Sequence, residues 1–197
     1  MTEYKFTKDW FSQAEQVWPQ LTPLLPERKA FLEIGSFEGR STVWIVENMM
    51  TDGGWIDCVD TWEGGEEHDE EDMSAVLRRF RANIELLGEK YPERRVCEHE
   101  ETSQWALSQF NASMYGSPIY DFIYIDGSHK APDVLTDACM AWPLLKPKGL
   151  MVFDDYMWGN PRDALHRPKI AIDAFTTIFG ETAETIHVGY QLVVRKK

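Results

Sequence analysis

The feature that most constrains the fold is a series of five short strand-like runs, each followed by a helical pattern. The runs are KAFLEIG, GWIDCVDTW, RRVCEHEE, YDFIYIDGSH and KPKGLMVFDDY. The fourth is almost continuously apolar, as expected for a strand that is covered on both faces of a parallel sheet. Strands that alternate with helices predict a doubly wound, mostly parallel α/β sheet of the Rossmann-like kind, with helices on both faces.

Periodic apolar residues predict the helices between these strands. Positions 10, 11, 14, 17 and 18 share one face of an N-terminal helix, and further helices are predicted over about 40–50, 73–88 and 103–110. Two more are predicted in APDVLTDACMAWPLL and KIAIDAFTTIF. The tail predicts two short strands around Gly189, which would add an antiparallel hairpin at the end of the chain.

Composition excludes several classes of protein. The net charge of -13 disfavours nucleic acid as a partner, because binding to a polyanion depends on Lys and Arg. No apolar run approaches the roughly 18–20 residues of a membrane span, so no membrane association is expected. Much of the negative charge lies in residues 63–72, EGGEEHDEED, which is predicted to be a solvated loop.

Cysteine usage and the N-terminus bear on the compartment. Cys58, Cys97 and Cys139 form neither a disulfide framework nor a CxxC pair, and the first residues lack an apolar secretory core. A cytoplasmic protein is therefore expected.

The turn after the first strand carries the first candidate site. In FLEIGSFEGRST, Gly35 and Gly39 lie between the first strand and the first core helix, where glycine permits positive φ and close approach of a ligand. Ligands of doubly wound sheets bind at the carboxyl ends of the strands. The dinucleotide fingerprint is GxGxxG, whereas this turn has GxxxG preceded by Glu33, which would repel a pyrophosphate. Such an acid suits a ligand that carries an ammonium group.

Asp60 ends the second strand, 25 residues after Gly35. An acid at this place can accept hydrogen bonds from the hydroxyls of a ribose. The two features together predict a nucleoside-containing ligand without a pyrophosphate.

At these residues the chain resembles the class I S-adenosylmethionine-dependent methyltransferases, over roughly residues 29–156. The resemblance implies that the turn from Gly35 to Ser41 wraps the methionine portion of the cofactor, that Asp60 binds its ribose, and that residues 101–104 lie beside its adenine. The predicted cofactor contacts are Glu33, Gly35, Ser36, Phe37, Gly39, Ser41, Asp60, Thr61, Trp62, Glu101, Thr102, Ser103, Gln104 and Asp126.

Three acids follow the fourth and fifth strands. Asp126 ends YIDGSH, and Asp154 and Asp155 end VFDDY. Neighbouring parallel strands would bring the three carboxylates together over the same cavity, where they would repel one another unless a hard divalent cation such as Mg²⁺ bound them. The alternative is that Asp154 or Asp155 only caps a turn, since Asp is common in turns.

This second pattern resembles the metal-dependent O-methyltransferases of the catechol type and, in its doubled acid, those of the macrocin type. The resemblance implies that Asp126, Asp154 and Asp155 are metal ligands. The catechol enzymes carry a basic lysine three residues after the first metal acid, whereas this chain has His129 there and Lys130 next to it. A histidine titrates near neutrality and can accept a hydroxyl proton, so His129 and Asp126 are the predicted catalytic residues, with Lys130 left open as the base.

The sequence thus predicts one methyltransferase domain, with an N-terminal helical cover over 1–28, a cofactor-binding core over 29–156 and a C-terminal helix and hairpin over 157–197. It would use S-adenosylmethionine and Mg²⁺ to methylate a hydroxyl of a small molecule such as a sugar or a phenol. The alternatives are a metal-independent N- or O-methyltransferase, an NAD-dependent oxidoreductase, and a nonenzymatic nucleotide-binding module. The resembled families often form dimers, which leaves a homodimer open.

Overall fold

A seven-stranded sheet organises the computed structural model, which describes residues 3–65, 68, 71–113, 117–159, 162–163 and 165–197. The strands are β1 Ala30–Ile34, β2 Trp55–Asp60, β3 Arg95–Glu100, β4 Tyr120–Ile125, β5 Leu145–Phe153, β6 Ala183–Val188 and β7 Leu192–Lys196. Their order is β3-β2-β1-β4-β5-β7-β6, with β1 to β5 parallel and β7 antiparallel to both β5 and β6. The predicted doubly wound sheet and its C-terminal hairpin are confirmed.

The helices follow the predicted alternation. They are α1 Ala14–Leu21, α2 Arg40–Trp44, α3 Met73–Lys90, α4 Ser103–Ser113, α5 Ala131–Ala141 and α6 Lys169–Ile178. The predicted helix over 40–50 is α-helical only in α2 and continues as a π-helical turn over Ile45–Met49. The N-terminal helix begins at Ala14, later than predicted. Trp10 lies before it, and 56% of the surface of Trp10 is exposed.

The apolar residues of β4 explain its nearly continuous pattern. Phe122 and Tyr124 pack into the core on one face of the sheet, and Ile123 and Ile125 pack into the core on the other. Helices cover both faces, as a parallel sheet requires. The strand order reverses between β1 and β4, and ligands of this architecture bind beside that point.

The acidic run over 63–72 is only partly described, since residues 66–67 and 69–70 of the predicted loop lie outside the described residues. At its end Asp72 is the N-cap of α3 and accepts a hydrogen bond from the backbone N–H of Ala75 at 3.1 Å. Glu71 forms an ion pair with Lys8. Two of the loop's acids therefore have local structural partners.

Across the described ranges, no helix has both the length and the apolar character that crossing a bilayer would need.

Candidate functional site

A cavity of about 860 Å³ opens at the carboxyl ends of the strands, beside the point where the strand order reverses. Its walls come from the β1–α2 turn, the ends of β2 to β5, the turn between β6 and β7, and the N-terminal segment before α1. Trp10 of that segment packs on Phe37 of the turn, with ring centroids 4.9 Å apart. Both predicted clusters of functional residues thus face one cavity.

Gly35 allows the β1–α2 turn to pack against the chain that follows β4. Its φ is +85°, and a Cβ atom built on it would lie 2.0 Å from the carbonyl oxygen of Asp126. Its backbone N–H donates to the carbonyl of Val59 at 2.8 Å. The missing side chain therefore leaves room for neighbouring backbone, so Gly35 is needed for the fold of the site as well as for close approach of a ligand.

Asp60 organises the same turn. Its Oδ2 accepts hydrogen bonds from the backbone N–H groups of Ser36 and Phe37, each at 2.9 Å, and its Oδ1 accepts one from Trp62 at 2.8 Å. The carboxylate also lines the cavity. Because an ionised carboxylate offers about four acceptor positions, three chain donors hold it in place and leave capacity for a ligand hydroxyl.

Three of the predicted cofactor contacts, Glu33, Gly39 and Trp62, are not among the residues that line the cavity. Glu33 is fully buried behind the turn, where its Oε2 accepts hydrogen bonds from the hydroxyls of Ser36, at 2.7 Å, and Thr42. Burial raises the pKa of Glu33, and these hydroxyls oppose the shift. The structure gives Glu33 a supporting position under the turn, not the exposed position beside a ligand that the sequence suggested.

Gly39 and Trp62 also support the turn from behind. Trp62 donates its indole N–H to the carbonyl of Phe37 at 2.8 Å and packs on Phe80 at a centroid distance of 4.8 Å. A Cβ atom on Gly39, whose φ is +79°, would lie 2.9 Å from the Phe80 ring. Both residues shape the turn through contacts with α3.

The remaining predicted cofactor contacts do line the cavity. They are Gly35, Ser36, Phe37, Ser41, Asp60, Thr61, Glu101, Thr102, Ser103, Gln104 and Asp126.

The structure adds Asp137 of α5 to this wall. It is almost fully buried, lies beside Gln104, whose amide approaches it at 3.4 Å, and has its pKa raised to about 7, mainly by burial. The sequence did carry a signal for it, because Asp137 interrupts the apolar face that Val134, Ala138 and Ala141 form on α5.

The three acids after β4 and β5 form a compact cluster, which we call the acid cluster: Asp126, Asp154 and Asp155. Each offers a carboxylate oxygen within 4.8 Å of those of the other two. Asp155 adopts a left-handed φ of +55°, which breaks the strand alternation and lets two successive side chains serve one site. The predicted convergence of the three acids is confirmed.

Neighbouring side chains donate hydrogen bonds to the acid cluster. The buried hydroxyl of Tyr124 lies between Asp126, at 2.9 Å, and Asp154. The hydroxyl of Tyr190 donates to Asp155 at 2.8 Å. Tyr124 falls within a strand and Tyr190 in the hairpin turn, so no motif marked either as part of the site.

Despite these hydrogen bonds, three negative charges this close together are electrostatically unfavourable. Burial, together with the negative charges of Asp154 and Asp155, raises the pKa of Asp126 well above its ordinary value, and burial with Asp155 raises that of Asp154. A cluster of hard oxygen ligands that repel one another fits a divalent cation such as Mg²⁺.

His129 lies at the edge of the acid cluster. Its Nε2 is 2.7 Å from Oδ2 of Asp155, and its ring stacks on Trp158 at a centroid distance of 4.1 Å. The Nδ1 atom is buried. If Nε2 donates to Asp155, the lone pair of the neutral ring lies on the buried Nδ1, so a base function at Nε2 requires this hydrogen bond to open and the ring to change tautomer.

Comparison with known proteins is consistent with this geometry. Residues 32–156 match a family described as a methyltransferase domain. No curated protein sequence matches the chain significantly.

Solved methyltransferase structures share the fold. An O-methyltransferase of Bacillus cereus in complex with SAH superposes with a TM-score of 0.66 at 20% identity, over 94% of this chain and 82% of that one. The O-methyltransferase TomG of Streptomyces achromogenes, in complex with SAM, gives 0.67 at 17% identity, over 94% and 81%. MycE of the mycinamycin biosynthetic pathway, in complex with Mg, SAH and mycinamycin VI, gives 0.60 at 15% identity, over 98% of this chain but 50% of MycE.

The family match covers well over half of the chain and includes the β1–α2 turn, Asp60 and the acid cluster. The chain therefore belongs to the methyltransferase domain family and is a class I S-adenosylmethionine-dependent methyltransferase.

Proposed function

We propose that this enzyme transfers the methyl group of S-adenosylmethionine to a hydroxyl of a small molecule with the help of Mg²⁺. The observation that carries the proposal is the acid cluster, whose three carboxylates lie within 4.8 Å of one another. The same cavity is lined by the β1–α2 turn and by Asp60. Cofactor and acceptor would thus meet at the switch in strand order.

The cofactor would occupy the end of the cavity formed by the β1–α2 turn and the residues after β2 and β3. Asp60, already oriented by three backbone N–H groups, would accept hydrogen bonds from the ribose hydroxyls. Ser103 and Gln104 line the wall where the adenine is expected. Glu33 would act indirectly, since it holds the hydroxyls of Ser36 and Thr42 beneath the turn. The structures of TomG with SAM and of the Bacillus cereus enzyme with SAH are consistent with this assignment.

Asp126, Asp154 and Asp155 would hold the cation, as their oxygen donors suit Mg²⁺. When bound, Mg²⁺ would supply positive charge that lowers the pKa of the acceptor hydroxyl and helps to orient it. The MycE complex with Mg is consistent with this proposal.

In the reaction, the acceptor hydroxyl loses its proton and its oxygen lone pair forms a bond to the methyl carbon. The electrons of the carbon–sulfur bond pass to the sulfonium sulfur, which leaves as the neutral thioether of S-adenosylhomocysteine. The chain's task is to place the two reactants in line and to receive the proton. His129 remains the predicted base; its Nε2 can receive the proton once the bond to Asp155 opens and the ring proton lies on Nδ1.

The cavity favours a small acceptor. A volume of about 860 Å³ falls within the roughly 300–1,000 Å³ of small-molecule sites. Its aromatic lining includes Trp10, Phe37 and Trp158, which could cover a sugar or a phenol ring. A cytoplasmic location and a homodimer remain predictions of the sequence. Family membership does not support the oxidoreductase or the nonenzymatic module.

Calorimetry with S-adenosylhomocysteine, followed by methyl-transfer assays against panels of phenols and sugars with Mg²⁺ or with EDTA, tests the proposal. We expect the cofactor product to bind in both conditions and methyl transfer to require the cation. Full turnover of an acceptor in excess EDTA would favour the metal-independent methyltransferase, and failure to bind the cofactor product would reject the assignment of this cavity.

A further inference from the structure

The turn between β6 and β7 brings a buried amide to the acid cluster. Gln191, only 3% exposed, donates from Nε2 to Oδ2 of Asp154 at 2.9 Å, and its Oε1 accepts the indole N–H of Trp18 at 2.8 Å. The register of β5 and β7, which pairs Phe153 with Leu192, places Gln191 beside Asp154. Helix α1, the hairpin turn and the acid cluster are thereby joined through one side chain.

The orientation of the Gln191 amide follows from the chemistry of its partners. The indole N–H of Trp18 can only donate, so it requires the amide oxygen. The amide NH₂ must then face Asp154, where it meets a carboxylate acceptor. The reversed amide would place two donors together at Trp18 and two acceptors together at Asp154, and would lose both hydrogen bonds.

Trp18 is a rigid anchor for this arrangement. It is fully buried, and its ring lies 4.8 Å from Phe11, 5.3 Å from Phe122 and 4.8 Å from Tyr124. Tyr124 in turn places its hydroxyl between Asp126 and Asp154. The indole therefore packs against one donor to the acid cluster and fixes the orientation of another.

Asp154 is held more completely than its neighbours. Its Oδ2 meets Tyr124 and Gln191, and its Oδ1 accepts the backbone N–H of Asp155 at 2.7 Å. In the described part of the chain, Tyr124 is the side-chain donor to Asp126. The turn between β6 and β7 thus donates to two of the acids, through Tyr190 to Asp155 and through Gln191 to Asp154, and the Gln191 amide is the donor that is also held by Trp18.

We propose that Gln191 is a positioning residue for cation binding, which acts through Asp154 and is itself held in one orientation by Trp18. This inference rests on the proposed metal-dependent function. Hydrogen-bond partners of metal-binding side chains typically contribute about 10–100-fold to metal affinity, because they fix the direction of the ligand atoms. Gln191 occupies such a position and is not among the residues that line the cavity.

Titration of the full chain with Mg²⁺ and Mn²⁺ by calorimetry tests the proposal. The variants are Gln191→Leu, which keeps much of the side-chain volume, and Trp18→Phe, which removes the indole N–H but keeps an aromatic ring. Gln20→Leu is the matched control, because Gln20 lies on the exposed side of α1 and its amide donates to the carbonyl of Gln16 in its own helix. S-adenosylhomocysteine affinity and thermal unfolding are measured on the same samples.

We expect Gln191→Leu to weaken cation affinity about 10–100-fold and Trp18→Phe to weaken it less, with cofactor affinity within about twofold of wild type in both. Gln20→Leu should bind the cation as wild type does. A purely structural role would lower the melting temperature without changing the cation affinity of the folded protein.

Two negative outcomes are distinguishable. If wild type binds neither cation, the metal-dependent function fails and this inference fails with it. If wild type binds but Gln191→Leu and Trp18→Phe bind equally well, only the role of Gln191 is overturned. Should Gln191→Leu not fold, the cation affinity of Trp18→Phe decides the question.

Discussion

The two ends of the cavity stabilise their carboxylates in different ways. At the end proposed to bind the cofactor, called the cofactor end, Asp60 accepts hydrogen bonds from the backbone N–H groups of Ser36 and Phe37 in the β1–α2 turn and from that of Trp62. At the other end, the acid cluster places Asp126, Asp154 and Asp155 within 4.8 Å of one another, and burial together with mutual repulsion raises the pKa of Asp126 well above its ordinary value. At the cofactor end, backbone N–H groups compensate the negative charge of the carboxylate. At the other end, the acid cluster carries an excess of negative charge.

This difference predicts which carboxylates stabilise the fold and which cost stability. A carboxylate that caps backbone N–H groups contributes to stability, so its loss should harm the fold and the binding of ligand together. Partly buried acids that repel one another cost stability, and such groups are typical of sites where a function needs them. Substitutions of the acids at the two ends should therefore have opposite effects on the free energy of unfolding, which Asp60→Asn and Asp126→Asn test directly.

The largest effect is expected for Gly35→Ala. The new Cβ would lie 2.0 Å from the carbonyl oxygen of Asp126, at a φ of +85° that alanine adopts reluctantly. A left-handed alanine costs about 1–2 kcal/mol and a crowded contact about 1–3 kcal/mol, so the free energy of unfolding should fall by about 2–5 kcal/mol. Urea unfolding measures the loss, and calorimetry should show that cofactor affinity falls as well.

Gly88→Ala is the matched control for Gly35→Ala. Gly88 lies in α3 with no atom within 4 Å of its added Cβ, so the same substitution should stabilise the protein by roughly 0.5–1 kcal/mol. A wild-type free energy of unfolding in Gly35→Ala would show that the turn can move away from the β4 loop.

The second effect concerns Asp60→Asn. An amide has one acceptor oxygen, so the variant can satisfy the donors on one side of the carboxylate but would turn an NH₂ group toward those on the other. We expect a loss of about 1–3 kcal/mol in the free energy of unfolding, with weaker binding of S-adenosylhomocysteine. Unchanged cofactor affinity in a folded variant would contradict the ribose assignment.

Much of the cofactor end could be predicted from the sequence, because the patterns that mark its strands, its turn and Asp60 are local in the chain. Strand periodicity placed β1 and β2, and the acid at the end of β2 follows directly from the architecture. What the sequence could not show is the direction of each side chain at the turn. Glu33 and Trp62 were predicted to contact the cofactor, but both lie behind the turn, where Thr42 and Phe80 contact them.

The acid cluster was predictable in its members but not in its partners. The rule that strand ends share one edge of the sheet was enough to bring Asp126, Asp154 and Asp155 together. Gln191 and Trp18 reach the cluster from the end of the chain and from its beginning, 173 positions apart, and such contacts leave no local pattern. The same holds for the bond between His129 and Asp155, which constrains the predicted base.

The third prediction concerns the pH dependence of stability at Asp137, a buried carboxyl beside Gln104 whose pKa is raised to about 7. Burial raises its pKa from 3.8 to about 7 in the folded protein, so the folded state holds a proton that the unfolded state has lost between these values. The stability contribution of Asp137 should therefore decrease as pH rises through this window, by at most about 1.4 kcal/mol per pH unit.

Asp137→Asn should remove that part of the slope. Urea unfolding of wild type and variant at several pH values from about 5 to about 8 measures the difference between the two curves. Two parallel curves would mean that Asp137 is ionised in the folded protein throughout this range.

The smallest change in stability is expected for Asp126→Asn, the same chemical substitution as at Asp60 but at the opposite end of the cavity. In the wild type, the hydroxyl of Tyr124 lies 2.9 Å from the Asp126 carboxylate, and the amide oxygen of Asn can still accept this hydrogen bond. The substitution removes the charge that repels Asp154 and Asp155. In EDTA the free energy of unfolding should rise, by less than about 1 kcal/mol, because the neutral amide removes the repulsion between Asp126 and the other two acids. Affinity for Mg²⁺ should fall in the same variant, since one carboxylate ligand is lost. Urea unfolding and cation calorimetry on one preparation measure both quantities. A loss of stability in EDTA as large as that of Asp60→Asn would mean that the acid cluster is a structural network like the one at the turn, and the contrast between the two ends would not hold.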